Sequence, residues 1–195
     1  MTQKKAVIEK PKEENYPDGK LKTVYSYNDA GLLDGAVKKY YPSGKLQSEE
    51  TYKNNILEGI TKSYYESGTL EEEVDFKNGK QEGISNLYHE SGKLKVEGNF
   101  KNGKQEGILK AYHENGKLMG EMNFKDGKEE GMGKAYHKNG KLGAEGNFKD
   151  GKQEGIHKWY YESGKLKEEK KVVSGIVIKS VCYDEQGNII KCPEE

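Results

Sequence analysis

The sequence predicts an all-β protein, an elongated single-layer antiparallel sheet built from β-hairpin repeats of 24 residues. Three observations predict it: a fixed repeat, two turn signals within each repeat, and apolar residues that lack helical spacing. Because one such unit cannot bury its apolar side alone, neighbouring units must stack into a quasi-one-dimensional array.

The repeat is clearest from Ser91 to Gly107, SGKLKVEGNFKNGKQEG, and similar strings return along most of the chain. Its period is 24 residues, lengthened to 25 once and shortened to 23 once. Candidate functional residues are therefore sought in columns, each column being the set of residues at one position of successive repeats. The glycine of the Gly-Lys-Leu turn marks the copies: Gly19, Gly44, Gly68, Gly92, Gly116, Gly140, Gly164 and, in degenerate form, Gly187.

Each unit predicts two strands. In the unit that opens at Ile108 we expect strands over 108–113 and 118–124, a turn between them, and a second turn at Asp126-Gly127. Asn-Gly and Asp-Gly are strong hairpin signals, because both central residues of a type I′ turn need positive φ. With strands about 4.8 Å apart, seven units would form a rod of roughly 65 to 70 Å.

The array is predicted over residues 15–171, after a charged, aperiodic and flexible N-terminal tail at 1–14. From residue 172 onward β-branched residues replace charged ones, which predicts a degenerate last repeat and C-terminal cap over 172–195. The first residues lack the apolar region of a signal peptide. The chain as written is expected to be cytoplasmic, and a longer native chain would allow export or envelope association.

Charge balance limits the function classes. The 33 basic residues equal the 33 acidic ones, so the basic excess of a nucleic-acid binder is absent and nucleic acid is not an expected partner. No apolar run approaches 20 residues, so no segment is expected to span a membrane. Tyr is raised to 14 and Gly to 25, which favours a thin, ordered β-structure.

Columns of the repeat should form ladders along the sheet. If His113 opposes Leu118 across the turn, then Lys110 opposes Glu121, and the same arithmetic pairs Lys62 with Glu73 and Lys158 with Glu169. A cross-strand ion-pair ladder then explains the glutamate column without catalysis. The apolar ladders are Tyr40, Tyr64, Tyr88, Tyr112, Tyr136, Tyr160; Tyr52, Phe76, Phe100, Phe124, Phe148; and Leu46, Leu70, Leu94, Leu118, Leu142, Leu166.

The sequence contains only weak signals for a catalytic, phosphate-binding or metal-binding site. Two strings, 98–105 and 146–153, nearly spell a phosphate-binding loop, but glutamine replaces the hydroxyl residue and each string falls on a β-turn. Histidines about 10 Å apart cannot share one metal ion, so no metal or cofactor is expected. Cys182 and Cys192 flank the last turn with equal strand parity, which allows a diagonal disulfide and provides no zinc site.

Aromatic rings mark the candidate contact surface. One column holds histidines in three units and tyrosines in others, and this line of rings either packs the sheet or forms a contact stripe. Trp159, the only Trp, replaces small residues of its column and is the expected hot spot. The candidate partner contacts are Trp159, Tyr136, His137, His113, His89, Tyr65 and Tyr161.

The string Glu97-Gly98-Asn99-Phe100-Lys101-Asn102-Gly103-Lys104-Gln105-Glu106-Gly107 resembles the MORN repeat, with Phe or Tyr where Trp is usual. The 24-residue period and the Gly-Lys-Leu turn look most like the bacterial MORN repeat variant of YwqK-type antitoxin-like proteins. The resemblance covers residues 16–190. It implies a rod without enzymatic activity that binds proteins or lipid headgroups, and the antitoxin label implies a toxin partner.

We therefore expect a non-enzymatic scaffold that binds another protein through its ladder surfaces, as a monomeric rod or in end-to-end association. One alternative is an antitoxin or immunity protein that neutralises a toxin. The other is a cell-envelope or surface module that binds lipid or glycan. An enzyme is disfavoured because no unit breaks the repeat with a convergent polar cluster.

Overall fold

The structure, a computed structural model, describes residues 11–193. Within this range there is no helix, and 19 strands belong to one open antiparallel sheet, as the sequence predicts. The chain divides into two compact units. The N-terminal unit runs to Gly83 and includes Glu90–Gly92, and the C-terminal unit comprises Ile84–His89 and the chain from Lys93 onward.

The strands follow one another as hairpins. They are β1 Lys12–Asn15, β2 Leu21–Tyr25, β3 Gly35–Tyr40, β4 Leu46–Lys53, β5 Ile56–Leu57, β6 Gly59–Tyr64, β7 Leu70–Lys77, β8 Lys80–Tyr88, β9 Leu94–Lys101, β10 Lys104–Gln105, β11 Gly107–Tyr112, β12 Leu118–Lys125, β13 Lys128–Glu129, β14 Gly131–Tyr136, β15 Leu142–Lys149, β16 Lys152–Tyr160, β17 Leu166–Val173, β18 Ile176–Tyr183 and β19 Ile189–Ile190.

The two-residue turns have the backbone that type I′ hairpins require. At the turn between β12 and β13, Asp126 has φ 52° and Gly127 has φ 82°. Positive φ is costly for most L-residues and is tolerated by Asn, Asp and Gly. The turn predicted from Asp-Gly is confirmed, and its neighbours show the same signs at Asn78, Asn102, Asp150 and the glycines that follow them.

A bulge interrupts the strand that follows several of these turns, after β5, β10 and β13. Between β10 and β11, the Glu106 amide donates to the Asn99 carbonyl over 2.8 Å, and Gly107 has φ 81°. A glycine with positive φ inserts a bulge at low cost. The strand predicted over 108–113 begins at Gly107 in the structure, and the short strand at 104–105 was not predicted.

Strand register confirms that lysine and glutamate lie opposite each other within the C-terminal unit, and the ion pair of Lys110 is made with Glu97. Lys110 lies opposite both Glu97 and Glu121, and the alternation of Lys and Glu continues across the next four strands. The predicted pairing of His113 with Leu118 across the turn was wrong by one residue, because Tyr112 pairs with Leu118. A register shift after Ala111 absorbs that extra residue.

The two predicted ends extend beyond what the structure describes. Residues 1–10 of the predicted tail lie outside the described range, and β1 forms from 12 to 15 and pairs with β2. At the other end, β18 pairs with β17 along its length and with β19 only at residues 182 and 183. Within the predicted cap, Val172 is buried, whereas Ile176 and Ile178 are exposed. The boundaries at 14 and 171 stay predictions.

Candidate functional site

The candidate site is an apolar channel on one face of the C-terminal unit. Its floor is a row of small residues that are paired in register across four strands: Ala111 with Gly120, Gly120 with Ala135, and Ala135 with Ala144. The run of small residues ends at Trp159, which pairs with Ala144. The channel is open to solvent along its length and has a volume of about 320 Å³, within the range of ordinary ligand pockets.

Larger side chains form the wall beside this floor, in the neighbouring row of the same face. Leu109, Met122 and His157 belong to this row and line the channel, and Phe148, one row further out, lines it as well. They fit because glycines on adjacent strands leave room for them. The glycines in this row are Gly98, beside Leu109; Gly133, beside Met122; and Gly146, beside His157.

His157 anchors the aromatic end of the channel. It is 3% exposed, and its Nε2 lies 2.9 Å from the Asn147 carbonyl, so that nitrogen carries the proton. Its ring meets Phe148 edge-on at 5.4 Å and stacks on Trp159 at 6.1 Å between centroids. Lys170 Nζ lies 5.5 Å from the centre of the Trp159 ring. The indole is therefore held in place by its neighbours, which favours a preformed contact.

The N-terminal unit has polar residues in the corresponding row. Ser48 pairs with Ser63, and Ser63 pairs with Glu72. Burial raises the pKa of Glu72. Burial also pushes up the pKa of nearby Glu50, but hydrogen bonds from Lys39, Tyr52 and Ser48 outweigh it and leave that pKa lowered. Because these side chains are polar or charged, the corresponding row of the N-terminal unit does not form an apolar channel.

On the opposite face, tyrosines and glutamates join the charge ladder. Tyr112 donates to Glu97 Oε1 over 2.7 Å, and Lys110 Nζ lies 3.4 Å from the same oxygen. The hydrogen bond, with burial, raises the pKa of Tyr112 to about 12. Burial, followed by the hydrogen bond to Glu145, raises the pKa of Tyr160 to about 12. These tyrosines, glutamates and lysines are paired with one another across the strands.

The repeat motifs hold neighbouring turns together. Lys117, from a Gly-Lys-Leu turn, donates its Nζ proton to the Asn139 carbonyl of the next repeat over 2.9 Å. At the other edge of the sheet, the Glu106 carboxylate accepts the amide of Asp126 over 3.0 Å. Equivalent lysine and glutamate contacts recur in both units. The period therefore arises from contacts that each unit makes with the next.

The sequence profile of the MORN repeat variant family matches six consecutive segments: residues 33–54, 57–78, 81–102, 105–126, 129–150 and 153–172. The chain belongs to the MORN repeat variant family. No protein of curated function matches the chain. Within residues 11–193 the search for a helix able to cross a bilayer found none.

The MORN repeat uses most of the predicted contact rings to join its units. His113 Nε2 lies 3.1 Å from the Tyr136 carbonyl, and His137 Nε2 lies 2.9 Å from that of Tyr160. Tyr161 makes the equivalent bond to Tyr183 over 2.7 Å. His89 bonds to the Tyr112 carbonyl in the same way, and Tyr65 opens the corresponding turn of its own repeat.

The predicted residues are therefore not brought together in one site. Trp159 lines the channel, whereas the Tyr136 hydroxyl donates to Glu121 on the opposite face. Their role as partner contacts stays a prediction. The small residues in the sequence column of Trp159 include Ala111 and Ala135. Gly120 and Ala144 were not predicted, because only the register shows that they complete the same row.

Cys182 and Cys192 form a disulfide, as their parity allowed, with their Cα atoms 5.2 Å apart. The bond ties β18 to the segment that follows β19. In register, Cys182 continues the row of the channel floor, because Trp159 pairs with Glu168 and Glu168 pairs with Cys182. Glu168 therefore lies between Trp159 and the disulfide, beyond the residues that line the channel.

Proposed function

We propose that this MORN repeat protein is a non-enzymatic scaffold that binds a partner protein through the apolar channel of its C-terminal unit. The observation that carries the proposal is the unbroken floor of small residues, closed by Trp159 at one end. Large apolar side chains from a partner would lie on this floor, beside the wall, and contact the indole of Trp159. Aromatic anchors of this kind dominate binding energy at protein interfaces.

The channel favours a helix as the docking segment. Its floor is the face of a paired sheet, whose main-chain groups already bond to neighbouring strands. An extended peptide lying there would leave its own amides and carbonyls without partners, at about 1 to 3 kcal/mol for each buried group. An α-helix satisfies those groups internally, so only its apolar side chains need the channel.

The dimensions suit about three helical turns. Three steps of about 4.8 Å separate Ala111 from Ala144, which gives roughly 14 Å. A helix covers that length in about ten residues and presents anchors at positions i, i+4 and i+7. The cavity of about 320 Å³ is large enough for several apolar side chains. An amphipathic helix is therefore the segment we expect the partner to contribute.

The test uses two adjacent residues that face opposite sides of the sheet. The intact protein, Ala135→Phe and Lys134→Ala are immobilised and exposed to extract and membranes of the source cells. We expect a protein retained by the intact chain and by Lys134→Ala, and lost by Ala135→Phe, which obstructs the channel floor. Circular dichroism verifies that both variants keep the β-sheet.

The retained protein is then reduced to its binding segment, and the fluorescence of Trp159 is followed as that segment is added. A spectral shift on binding a helical peptide supports the proposal. Neutralisation of the captured protein's toxicity would make this scaffold an antitoxin. Retention of only membrane or wall material, or equal retention by all three chains, would refute protein binding through the channel.

A further inference from the structure

The end of the sheet gathers two sulfur atoms and a carboxylate outside the proposed docking channel. Glu168 lies opposite Cys182 in register, and Cys182 is bonded to Cys192. The carboxylate oxygen and the two Sγ atoms all lie within 4.8 Å of one another. Thiolates and carboxylates are zinc ligands, so this corner has three possible ligands once the disulfide is reduced.

The distances match a tetrahedral ion. Zinc bonds of about 2.3 Å to sulfur and 2.1 Å to oxygen place a bound sulfur and oxygen roughly 3.6 Å apart. Glu168 Oε1 already lies 3.8 Å from Cys182 Sγ. Reduction would let the two sulfurs separate to about 3.8 Å around the same ion, and the cysteines stand on chain segments only 5.2 Å apart at Cα.

The surroundings orient these groups. The Ser180 hydroxyl donates to Glu168 Oε1 over 2.9 Å and lies 3.3 Å from Cys192 Sγ. Such contacts fix the orientation of metal ligands. Cys182 is 4% exposed, whereas Cys192 and Glu168 are half-buried, so an ion can enter from solvent. Lys170 Nζ, 3.5 Å from Glu168 Oε1, is the cation that a metal would displace.

We propose that the reduced protein binds one Zn²⁺ through Cys182, Cys192 and Glu168, with water as the fourth ligand, and that oxidation to the disulfide releases the ion. A dithiol reductant supplies two electrons and two protons to the disulfide and becomes a disulfide itself. Zinc then displaces the two thiol protons. Oxidation by a disulfide removes two electrons as the S–S bond forms, and zinc leaves unchanged as Zn²⁺.

This site is independent of partner binding through the channel. In both states a covalent or coordinate link joins β18 to the segment after β19, so the final turn of the sheet stays closed in reducing and oxidising surroundings. The sequence suggested no zinc site because two cysteines alone are too few. Glu168 is 14 positions before Cys182, and only the strand register brings them together.

The experiment uses the full chain, reduced with a phosphine and desalted without oxygen. Co²⁺ is added as a spectroscopic probe, because thiolate ligation in a tetrahedral site gives charge-transfer and visible absorption. Zn²⁺ affinity is measured by competition with a chromophoric chelator. We expect one ion per reduced chain and no comparable binding by the disulfide form.

The matched variants are Glu168→Gln and Glu169→Gln, neighbours that face opposite sides of the sheet; Glu169 pairs with Lys158. Glu168→Gln should weaken zinc binding by at least about tenfold, a loss typical even of an outer partner, and Glu169→Gln should leave it unchanged. Equal affinity of these two variants would overturn the three-ligand site. The proposal would also be overturned if the reduced chain bound zinc no better than the double variant Cys182→Ser/Cys192→Ser. Circular dichroism checks that all of these chains are folded.

Discussion

Gly146→Ala should destabilise the C-terminal unit because a methyl group there overlaps the His157 ring. Gly146 does not have positive φ, so its backbone accepts alanine and only the side-chain overlap matters. To clear the methyl group, His157 must leave its buried position. It then loses the hydrogen bond to the Asn147 carbonyl and its ring contacts with Phe148 and Trp159.

The size of the effect follows from those losses. A hydrogen bond contributes about 1 kcal/mol net, and an aromatic contact about 0.5 to 1.5 kcal/mol. Partial relaxation of the strands offsets some of this, so we expect Gly146→Ala to lower the free energy of unfolding by about 2 to 3 kcal/mol. Gly133→Ala meets the flexible end of Met122 and should cost about 1 kcal/mol, because a thioether chain readjusts easily.

The assay is urea unfolding followed by Trp159 fluorescence and by circular dichroism. The decisive comparison repeats Gly146→Ala in a His157→Ala background, where the overlap is gone. There the substitution should be nearly neutral, or slightly stabilising since glycine is unfavourable in a strand. If Gly146→Ala costs the same in both backgrounds, or less than Gly133→Ala, the packing argument is refuted.

Three further perturbations test the ladder contacts. Because the pKa of Tyr112 is about 12 in the fold and 10.0 in its reference state, its contribution to stability should decline as pH rises from about 10 to 12; urea midpoints over that range should fall less for Tyr112→Phe. Asp126→Ala forces alanine to φ 52° and should cost about 1 to 2 kcal/mol in urea unfolding, whereas Asp126→Asn, which tolerates that backbone, should be nearly neutral. His137→Phe leaves the Tyr160 carbonyl without its donor and should cost about 1 to 3 kcal/mol in thermal unfolding. His137→Tyr should recover most of this, because Tyr161 makes the same kind of bond, and equal losses for both variants would contradict the assigned role.

Much of the fold could be predicted because its determinants are local. A two-residue turn such as Asp126-Gly127 selects a type I′ hairpin through the φ values of its own residues. The length of the other turn, between Tyr112 and Leu118, sets the pairing of Lys110 with Glu121, apart from a one-residue bulge. The one-residue error at Tyr112 arose because a bulge is a response of the backbone to strand twist and has no unique sequence signal.

The site was less accessible to prediction. The sequence singled out Trp159 by its departure from a column of small residues, and this residue does line the channel. For His113 and His137 it left open whether the rings pack the sheet or form a contact stripe, and in the structure each bonds to the carbonyl of a tyrosine in the next repeat. That bond depends on how far one unit advances along the next, which no single repeat encodes.

The sequence by itself determined the repeat, the turns, the antiparallel pairing and the alternation of charges, because each depends on residues within one hairpin or on a strict period. The tertiary structure decided which face of the sheet is apolar and where on that face the channel lies. A row such as Gly120, Ala135 and Ala144 combines residues from different strands, and its chemistry exists only when the register aligns them. The same holds for Glu168 and Cys182, whose encounter depends on the path of two strands rather than on either segment alone.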